Sequence, residues 1–275
     1  MKRIACFFTC GYTERKGMKQ FLRKINPELN LNPVFPVQER RGRRPNQTDL
    51  IDGSTGEELL ARIYQYLEQH PEKMKDCDAV LIEDDLDGKF YRERIPGDPG
   101  SRVVDKTPEY TEHCEAVRAK VREKAGRDET LPVILFHASP EVETWFLADW
   151  ENSFGRVYQD LDVLKHEENQ YFSTRFRPYL RREVLDGYQD EPERYGWFDG
   201  TYRKLSSEII QSLEHWKIGL AEERTTFSRA VGLNDRLRYS KQTHGGHMLA
   251  ELDPDSVQRN CPLFFREAYY ALKKL

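Results

Sequence analysis

Acidic residues follow three of the buried strands that the sequence predicts. Glu14 comes shortly after the first strand, Asp85 and Asp87 follow the third, and Glu141 follows the fourth. Active sites of parallel sheets lie beyond the carboxyl ends of the strands, so these segments are expected to meet at one edge. Crowded carboxylates repel one another and hold their protons unless cations neutralise them. Hard oxygen ligands of this kind suit Mg²⁺ or Mn²⁺.

Each of these motifs also has an ordinary structural interpretation. Asp85-Leu86-Asp87-Gly88 is typical of a surface turn, and a lone Glu14 is typical of the first turn of a helix. Ser139-Pro140-Glu141 by itself is a common helix start, with Ser as the cap and Pro at the first helical position. Their joint placement after successive strands is what favours a shared metal site.

An alternation of strands and helices must position these carboxylates. Short apolar runs predict strands at 4–9, 32–37, 79–82 and 131–136. Apolar residues at helical spacing predict helices at 13–24, 54–70, 108–124 and 141–150. The prolines of the second strand favour an edge position, and 38–52 is predicted to be a polar, Arg-rich loop. The pattern indicates an α/β fold with a mostly parallel four-stranded sheet flanked by helices.

Beyond residue 150 the pattern is weaker. Helical spacing is found at 205–220, 253–259 and 262–275. We therefore divide the chain into a core of residues 1–150 and a mostly helical C-terminal extension, residues 151–275. The extension is expected to pack on the core and to complete the site.

Composition excludes several classes of protein. Apolar residues make up 38% of the 275 residues, too much for a disordered chain, and no apolar run approaches the ~20 residues of a membrane span. Five scattered cysteines without a Cys-x-x-Cys pair argue against a disulfide framework and fit a reducing cytoplasm. The net charge is -4, yet residues 1–50 carry 11 Lys and Arg against 4 Asp and Glu. A basic face that binds nucleic acid is compatible with this distribution.

Three motifs stand in order along the core, namely Cys10-Gly11-Tyr12-Thr13-Glu14, Asp85-Leu86-Asp87-Gly88 and Ser139-Pro140-Glu141. Their order resembles the Toprim fold of topoisomerases, primases and OLD (overcoming-lysogenization-defect) nucleases. The run from Ser139 to Asp149 resembles the Pro-x-x-Glu-x-Trp-x-Leu-Ala-Asp helix of stand-alone Toprim-like proteins from bacterial defence loci, including RloB-like proteins. The C-terminal end of that group is resembled by Tyr239-Ser240-Lys241, His244-Gly245-Gly246 and the run from Cys261 to Phe265.

The resemblance implies metal-dependent cleavage of phosphodiester bonds with one or two Mg²⁺ or Mn²⁺ ions. The implied metal ligands are Glu14, Asp85, Asp87, Ser139 and Glu141. Lys241 matches a family lysine and is expected to neutralise charge in the transition state, whereas a solvated loop lysine is its ordinary interpretation.

The resemblance also implies a partner protein. OLD nucleases carry an ATPase on the same chain, and the stand-alone relatives are usually encoded beside one. The present sequence contains no Gly-x-x-x-x-Gly-Lys-Ser/Thr motif. A separate ABC- or SMC-like ATPase subunit is therefore expected, with the chain as the nuclease effector of an anti-phage defence system.

One residue departs from the family pattern. Cys10 stands where the Toprim signature has Glu, although Glu14 occupies the second acidic place that OLD-like nucleases use. Glu83, beside the Asp-x-Asp, is a candidate to compensate for Cys10. The alternative is a catalytically degenerate scaffold that binds an ATPase or nucleic acid without cleavage. A small-molecule phosphohydrolase is a third hypothesis, but no Gly-rich phosphate loop follows the first strand.

Two further segments are candidate phosphate contacts. One is an arginine cluster in the predicted loop, consisting of Arg40, Arg41, Arg43 and Arg44. It is interpreted equally well as a grip on a phosphate backbone and as a solvated loop. His244 and His247 flank Gly245-Gly246, which is either a flexible phosphate contact or a turn. The sequence does not distinguish DNA from RNA, including transfer RNA, as the substrate.

Overall fold

A computed structural model of the chain describes residues 1–9, 11–35, 38–40, 48–50, 54–87, 89–90, 107–157, 192–194, 204–222 and 239–275. The strands are β1 (Arg3–Phe7), β2 (Asn30–Phe35), β3 (Gln38–Arg40), β4 (Thr48–Leu50), β5 (Ala79–Asp85) and β6 (Val133–Ala138). The helices of the first 150 residues are α1 (Tyr12–Ile25), α2 (Gly56–Gln69), α3 (Pro71–Lys75), α4 (Thr107–Lys124) and α5 (Glu143–Ala148).

The described elements beyond residue 148 are all helical. They comprise α6 (Phe154–Val157), α7 (Leu205–Glu222), α8 (Gly246–Glu251), α9 (Pro254–Asn260) and α10 (Arg266–Lys274). Two 3₁₀ turns lie at Trp150–Asn152 and Pro192–Arg194, and a π-helical turn at Lys241–Gly245 leads directly into α8. None of the described helices combines the length and the hydropathy of a transmembrane span.

Four strands form one sheet in the order β2-β1-β5-β6, and every neighbouring pair is parallel. From β1 the chain crosses to β2 at one edge, and it later returns to β5 on the other side of β1. The direction in which strands are added thus reverses between β1 and β5. Such a switch point leaves a crevice at the carboxyl ends of the two strands, which is where open α/β sheets bind ligands.

The sheet has a hydrophobic core on each face because side chains alternate along its strands. Within β5, Ala79 and Leu81 belong to the core formed with α1, α5 and the C-terminal helices, whereas Val80 and Ile82 belong to the core formed with α2 and α4. The first core includes Trp145 of α5 and Leu272 of α10, both wholly buried. C-terminal residues therefore share one core with the sheet.

Helices α1 and α8 approach each other closely at glycines. A Cβ atom on Gly17 would collide with the carbonyl oxygen of Gly246, and a Cβ on Gly245 would collide with the hydroxyl of Thr13. Only residues without a side chain fit at these positions. The Gly245-Gly246 pair is therefore a helix-packing contact. It fixes the π-helical turn, and with it Lys241, against the first turn of α1.

The predicted α/β fold with a four-stranded parallel sheet is confirmed, and β2 lies at an edge as its prolines indicated. Two boundaries were predicted wrongly. The stretch 38–52 is not only loop, since β3 and β4 pair in antiparallel fashion through their backbones. The residues Glu83 to Asp85 do not follow the third strand but form its end, because they pair with Phe136 to Ala138 of β6.

Candidate functional site

The candidate site lies at the carboxyl ends of β1, β5 and β6. We use the term acidic cluster for five side chains that converge there, those of Glu14, Glu83, Asp85, Glu141 and Glu143. At the end of β1, Thr9 donates from its backbone N–H and its hydroxyl to Glu83 Oε2, at 3.1 and 3.2 Å. The carboxylate of Glu14 folds back over Gly11 at the start of α1. Both carboxylates are buried.

A single lysine from the C-terminal region contacts the acidic cluster. The ammonium of Lys241 lies 2.5 Å from Glu141 Oε2 and 3.1 Å from Glu143 Oε2. The hydroxyl of Ser206, in the first turn of α7, donates to the same Glu141 oxygen at 2.9 Å. The lysine side chain remains 40% exposed, whereas both carboxylates are almost fully buried. Lys241 therefore closes the cluster on its solvent side.

Glu143 is held from behind by a buried tyrosine. The hydroxyl of Tyr239 donates to Glu143 Oε1 at 2.5 Å, and the tyrosine ring packs against Phe154 with centroids 5.5 Å apart. Glu143 thus has the tyrosine on one oxygen and the ammonium of Lys241 near the other.

Asp85 joins the cluster from the last position of β5. Its Oδ1 accepts the backbone N–H of Val142 at 3.1 Å, which ties β5 to the segment leading into α5. Lys241, Glu83, Glu14 and Glu141 all act electrostatically on Asp85. The structure therefore brings together Glu14, Asp85, Glu141 and Lys241, although the chain separates the first and last of them by more than 200 residues.

Four carboxylates of the cluster, those of Glu14, Glu83, Asp85 and Glu143, bind protons more tightly than usual. The pKa of Glu14 is raised to about 7, chiefly by burial and to a smaller extent by Glu143 and Glu141, against the opposing effect of Lys241. Burial and nearby carboxylates also place the pKa values of Glu83 and Asp85 well above their ordinary range. The cluster thus gathers more negative charge than one lysine neutralises.

The carboxylates of the cluster stabilise the charged form of the lysine. Burial opposes the positive charge of Lys241, but Glu143, Asp85 and Glu141 outweigh this effect and raise the pKa of its ammonium. The lysine is therefore held in its charged form at the mouth of the cluster.

Three carboxylate oxygens of the cluster are buried without a hydrogen-bond partner, namely Glu83 Oε1, Glu141 Oε1 and Glu143 Oε2. The last of these lies 3.1 Å from the Lys241 ammonium and forms an ion pair with it, so Glu83 Oε1 and Glu141 Oε1 are the two without any partner. Unsatisfied buried oxygens are rare in folded proteins and call for an explanation such as a ligand or ion. As the side chains lie, no group of three or more His, Cys, Asp or Glu within the described ranges is arranged to hold a metal ion.

Asp87, a predicted metal ligand, makes its contact on the other side of β5. Its Oδ2 accepts the hydroxyl proton of Thr55 at 2.9 Å. The backbone of Asp87 has φ = 46°, in the left-handed region that Asp tolerates better than most residues. Nearby, the backbone N–H of Gly56 donates to both oxygens of Asp84, at 2.9 and 3.0 Å. These two carboxylates therefore lie at the amino end of α2.

Ser139, another predicted metal ligand, is buried and forms its hydrogen bonds elsewhere. Its hydroxyl donates to the backbone oxygen of Glu193 at 3.2 Å, and its carbonyl accepts from the Thr144 hydroxyl at 2.7 Å. The helix start that Ser139-Pro140 favoured was predicted wrongly, because α5 begins at Glu143 without a side-chain cap. The Ser139–Pro140 bond is cis.

Several predicted residues fall outside the described structure. Cys10, Arg41, Arg43 and Arg44 lie outside the described residues, and Arg40 is described only by its backbone in β3. Of the two histidines near Lys241, His244 accepts the Ser240 N–H at Nδ1, at 3.2 Å, and His247 is exposed.

Three residues of the site were missed from the sequence. Glu143 is the Glu of the Pro-x-x-Glu-x-Trp run, so the motif contained a signal for it. Tyr239 stands two residues before Lys241 and shares its tail motif. Ser206 has no signal in the sequence, because only tertiary packing brings it to Glu141.

No protein-family model, curated protein or solved structure matches the chain.

Proposed function

We propose that the protein is a metal-dependent nuclease of Toprim type, which hydrolyses phosphodiester bonds with Mg²⁺ or Mn²⁺ at the acidic cluster. The observation that carries the proposal is the surplus of carboxylate in this cluster. Five carboxylates from the ends of three strands meet one ammonium, and three of their oxygens are buried without hydrogen-bond partners.

The donors present fit a hard divalent cation. Carboxylate oxygens are the ligands that Mg²⁺ and Mn²⁺ prefer, and the raised pKa values mean that protons supply the charge compensation that a cation would otherwise give. We propose Glu14, Asp85 and Glu141 as ligands, with Glu83 beside them. Asp87 and Ser139 would have to turn away from their present partners to join.

If these residues hold a divalent ion, the chemistry it would supply is activation of a water and stabilisation of the leaving oxygen. The chain's own contribution is positioning and charge. Lys241 holds a positive charge at the open side of the cluster, where a phosphate would have to enter, and it is suited to stabilise negative charge that develops there. Ser206 and Glu143 fix the orientation of Glu141 and Lys241.

The wider role is proposed from the motif resemblance. We propose that the chain is the nuclease effector of an anti-phage defence system and works with a separate ABC- or SMC-like ATPase. A cytoplasmic location is part of the same proposal. The four cysteines that the structure describes are all buried free thiols, namely Cys6, Cys77, Cys114 and Cys261, as expected in a reducing compartment.

A cleavage assay tests the nuclease proposal. The purified chain, alone and with its ATPase neighbour, is incubated with labelled DNA and RNA in Mg²⁺ or Mn²⁺. We expect metal-dependent cleavage that Asp85→Ala plus Asp87→Ala abolishes. A matched control is Asp76→Ala plus Asp78→Ala, the same residue types and spacing at the amino end of β5, where both contact Arg3. Cleavage that persists in the first double variant rejects the assignment.

A scaffold that does not cleave is the second candidate function. The observation in its favour is that Lys241 forms ion pairs with Glu141 and Glu143 and so already supplies charge compensation that a cation would give. Calorimetric titration with Mn²⁺ separates the two functions. Binding that Asp85→Ala removes supports the nuclease, whereas no binding and no cleavage support the scaffold.

A further inference from the structure

Every charged residue on the outward face of α1 is basic. Its exposed and half-exposed positions carry Tyr12, Arg15, Lys16, Lys19, Gln20, Arg23 and Lys24. The only acidic residue of the helix is Glu14, which is buried in the acidic cluster. A helix on a protein of net charge -4 would be expected to mix both signs on its surface.

The basic surface of α1 is not shared by helix α2. It covers the opposite face of the sheet and also begins near the carboxyl ends of the strands. Its exposed charged residues are Glu57, Glu58 and Glu68, with Arg62 half-buried. The crevice therefore has a basic helix on one side and an acidic helix on the other.

Three of the basic residues of α1 form a row. Arg15, Lys19 and Arg23 are spaced by four residues and so lie on one side of the helix. The row is about 12 Å long at the helical rise of 1.5 Å per residue. Lys16 and Lys24 lie beside it and donate to the carbonyl oxygens of Gln242 and Leu252, so part of their role is to anchor the C-terminal region.

The row begins at the acidic cluster. Arg15 follows Glu14 directly, and Lys241 lies against the same turn, where its carbonyl accepts the Thr13 hydroxyl at 3.5 Å. A cluster of carboxylates repels a phosphate backbone, so a nuclease of this kind needs positive charge beside the site to hold its substrate.

We propose that the row Arg15-Lys19-Arg23 binds the phosphate backbone of a nucleic acid strand and leads it to the acidic cluster. The inference rests on the proposed function, since it names the surface that the substrate would use. The three cations of the row are expected to contact up to three phosphates of the strand. Because phosphates carry no base identity, binding is expected to be independent of sequence.

Salt dependence of binding tests this surface without any need for cleavage. The probe is a fluorescein-labelled 20-nucleotide single-stranded DNA, and its affinity is measured by anisotropy in EDTA over a range of KCl concentrations. The test variant is Arg15→Gln, Lys19→Gln, Arg23→Gln. We expect the slope of log K against log salt to decrease by about 2, at ~0.7 per lost contact, and the affinity near 100 mM salt to fall at least tenfold.

A control variant removes the same total charge elsewhere. Lys73→Gln, Lys75→Gln and Lys120→Gln alter α3 and α4, and we expect the wild-type slope. A second variant, Arg15→Lys, Lys19→Arg, Arg23→Lys, keeps the charge and is expected to keep the slope if thermal unfolding shows all variants folded. Equal slopes for the two neutralised variants, or no binding by the wild type, overturn the proposal. A wild-type chain that binds as expected but cuts nothing in Mn²⁺ leaves this surface in place and removes only the nuclease.

Discussion

Strand β5 ends in three consecutive acidic residues, whose side chains alternate between the two faces of the sheet. The neighbours of these side chains differ between the two faces. Glu83 and Asp85 point toward α1 and α5 and join the acidic cluster, where other carboxylates and Lys241 are their neighbours. Asp84 points toward α2, where the Gly56 N–H donates to both of its oxygens. The alternation of side chains along a strand is enough to separate adjacent carboxylates in this way.

Burial does not explain the difference between the two sides. Asp84 is also buried, and desolvation raises its pKa to about 7. The difference lies in hydrogen bonding. The carboxylate of Asp84 accepts a backbone N–H at a helix terminus. Every buried carboxylate oxygen without a hydrogen-bond partner in the described residues belongs instead to the acidic cluster. One side of β5 therefore anchors a helix, and the other gathers buried carboxylate oxygens without hydrogen-bond partners, for which folding alone gives no reason.

The largest expected effect separates the two aspartates of the Asp-x-Asp motif. We expect Asp85→Asn to reduce kcat/KM for Mn²⁺-dependent cleavage by about 100-fold or more, because it removes a charge from the cluster. Asp87→Asn is expected to stay within about threefold, since an amide oxygen still accepts the Thr55 hydroxyl. Equal losses in both variants would show that the two sides of β5 act as one site.

The next prediction concerns how the free energy of unfolding depends on pH, which tests the crowding of carboxylates in the cluster. The pKa of Glu14 is raised from 4.5 to about 7. Between these values the folded state binds more protons than the unfolded state, so the free energy of unfolding falls as pH rises through this window. Glu14→Gln cannot ionise. We expect the free energy of unfolding of this variant to exceed that of the wild type by a few kcal/mol near pH 8, and this difference to disappear near pH 4. Urea unfolding at both pH values measures it.

The control for this prediction is an exposed glutamate at the same edge of the sheet. A hydrogen bond from Lys89 lowers the pKa of Glu57, so the sign is reversed. Stability from this pair is present above the unfolded pKa and is lost as pH falls, and Glu57→Gln should bring no gain near pH 8. A gain in both variants would indicate a general effect of net charge.

Much of the fold was predictable because apolar runs and helical spacing are local signals. The apolar runs that begin at Ile4 and Ala79 predict buried strands, and in the structure these strands pair with each other in the sheet. The end of β5 was not predictable, because carboxylates are depleted in strands and only pairing with β6 keeps Glu83 to Asp85 extended.

The site was predictable where it depends on topology. The rule that parallel strands end at one edge was sufficient to predict that Glu14, Asp85 and Glu141 would approach one another. The position of the Asp87 side chain depends instead on the turn after Asp85. In that turn Asp87 has φ = 46°, and its carboxylate contacts Thr55 at the start of α2. The contact of Ser206 with Glu141 spans 65 residues and has no local signature.

A smaller effect compares two buried tyrosines. The Tyr239 hydroxyl donates to the carboxylate of Glu143, whereas the Tyr110 hydroxyl pairs with the ring of His137 at 2.9 Å. Tyr239→Phe is expected to cost about 1–3 kcal/mol of unfolding free energy, because it removes the donor of a buried charge, and Tyr110→Phe about 1 kcal/mol. Chemical denaturation at neutral pH measures both. Equal costs would mean that Glu143 is not stabilised as a carboxylate.

The smallest expected effect falls on the side of β5 that lacks the cluster. Asp84→Ala removes the acceptor for the Gly56 N–H at the start of α2 and is expected to cost about 1 kcal/mol, the usual value of a lost helix cap. Asp84→Asn keeps an acceptor oxygen and should cost less. Cleavage by Asp84→Ala is expected to remain within about twofold of the wild type. The stability loss then locates the role of Asp84 in anchoring α2. A loss of cleavage as large as that of Asp85→Asn would show instead that Asp84 contributes to the function of the acidic cluster. The two sides of β5 would then not be functionally separate.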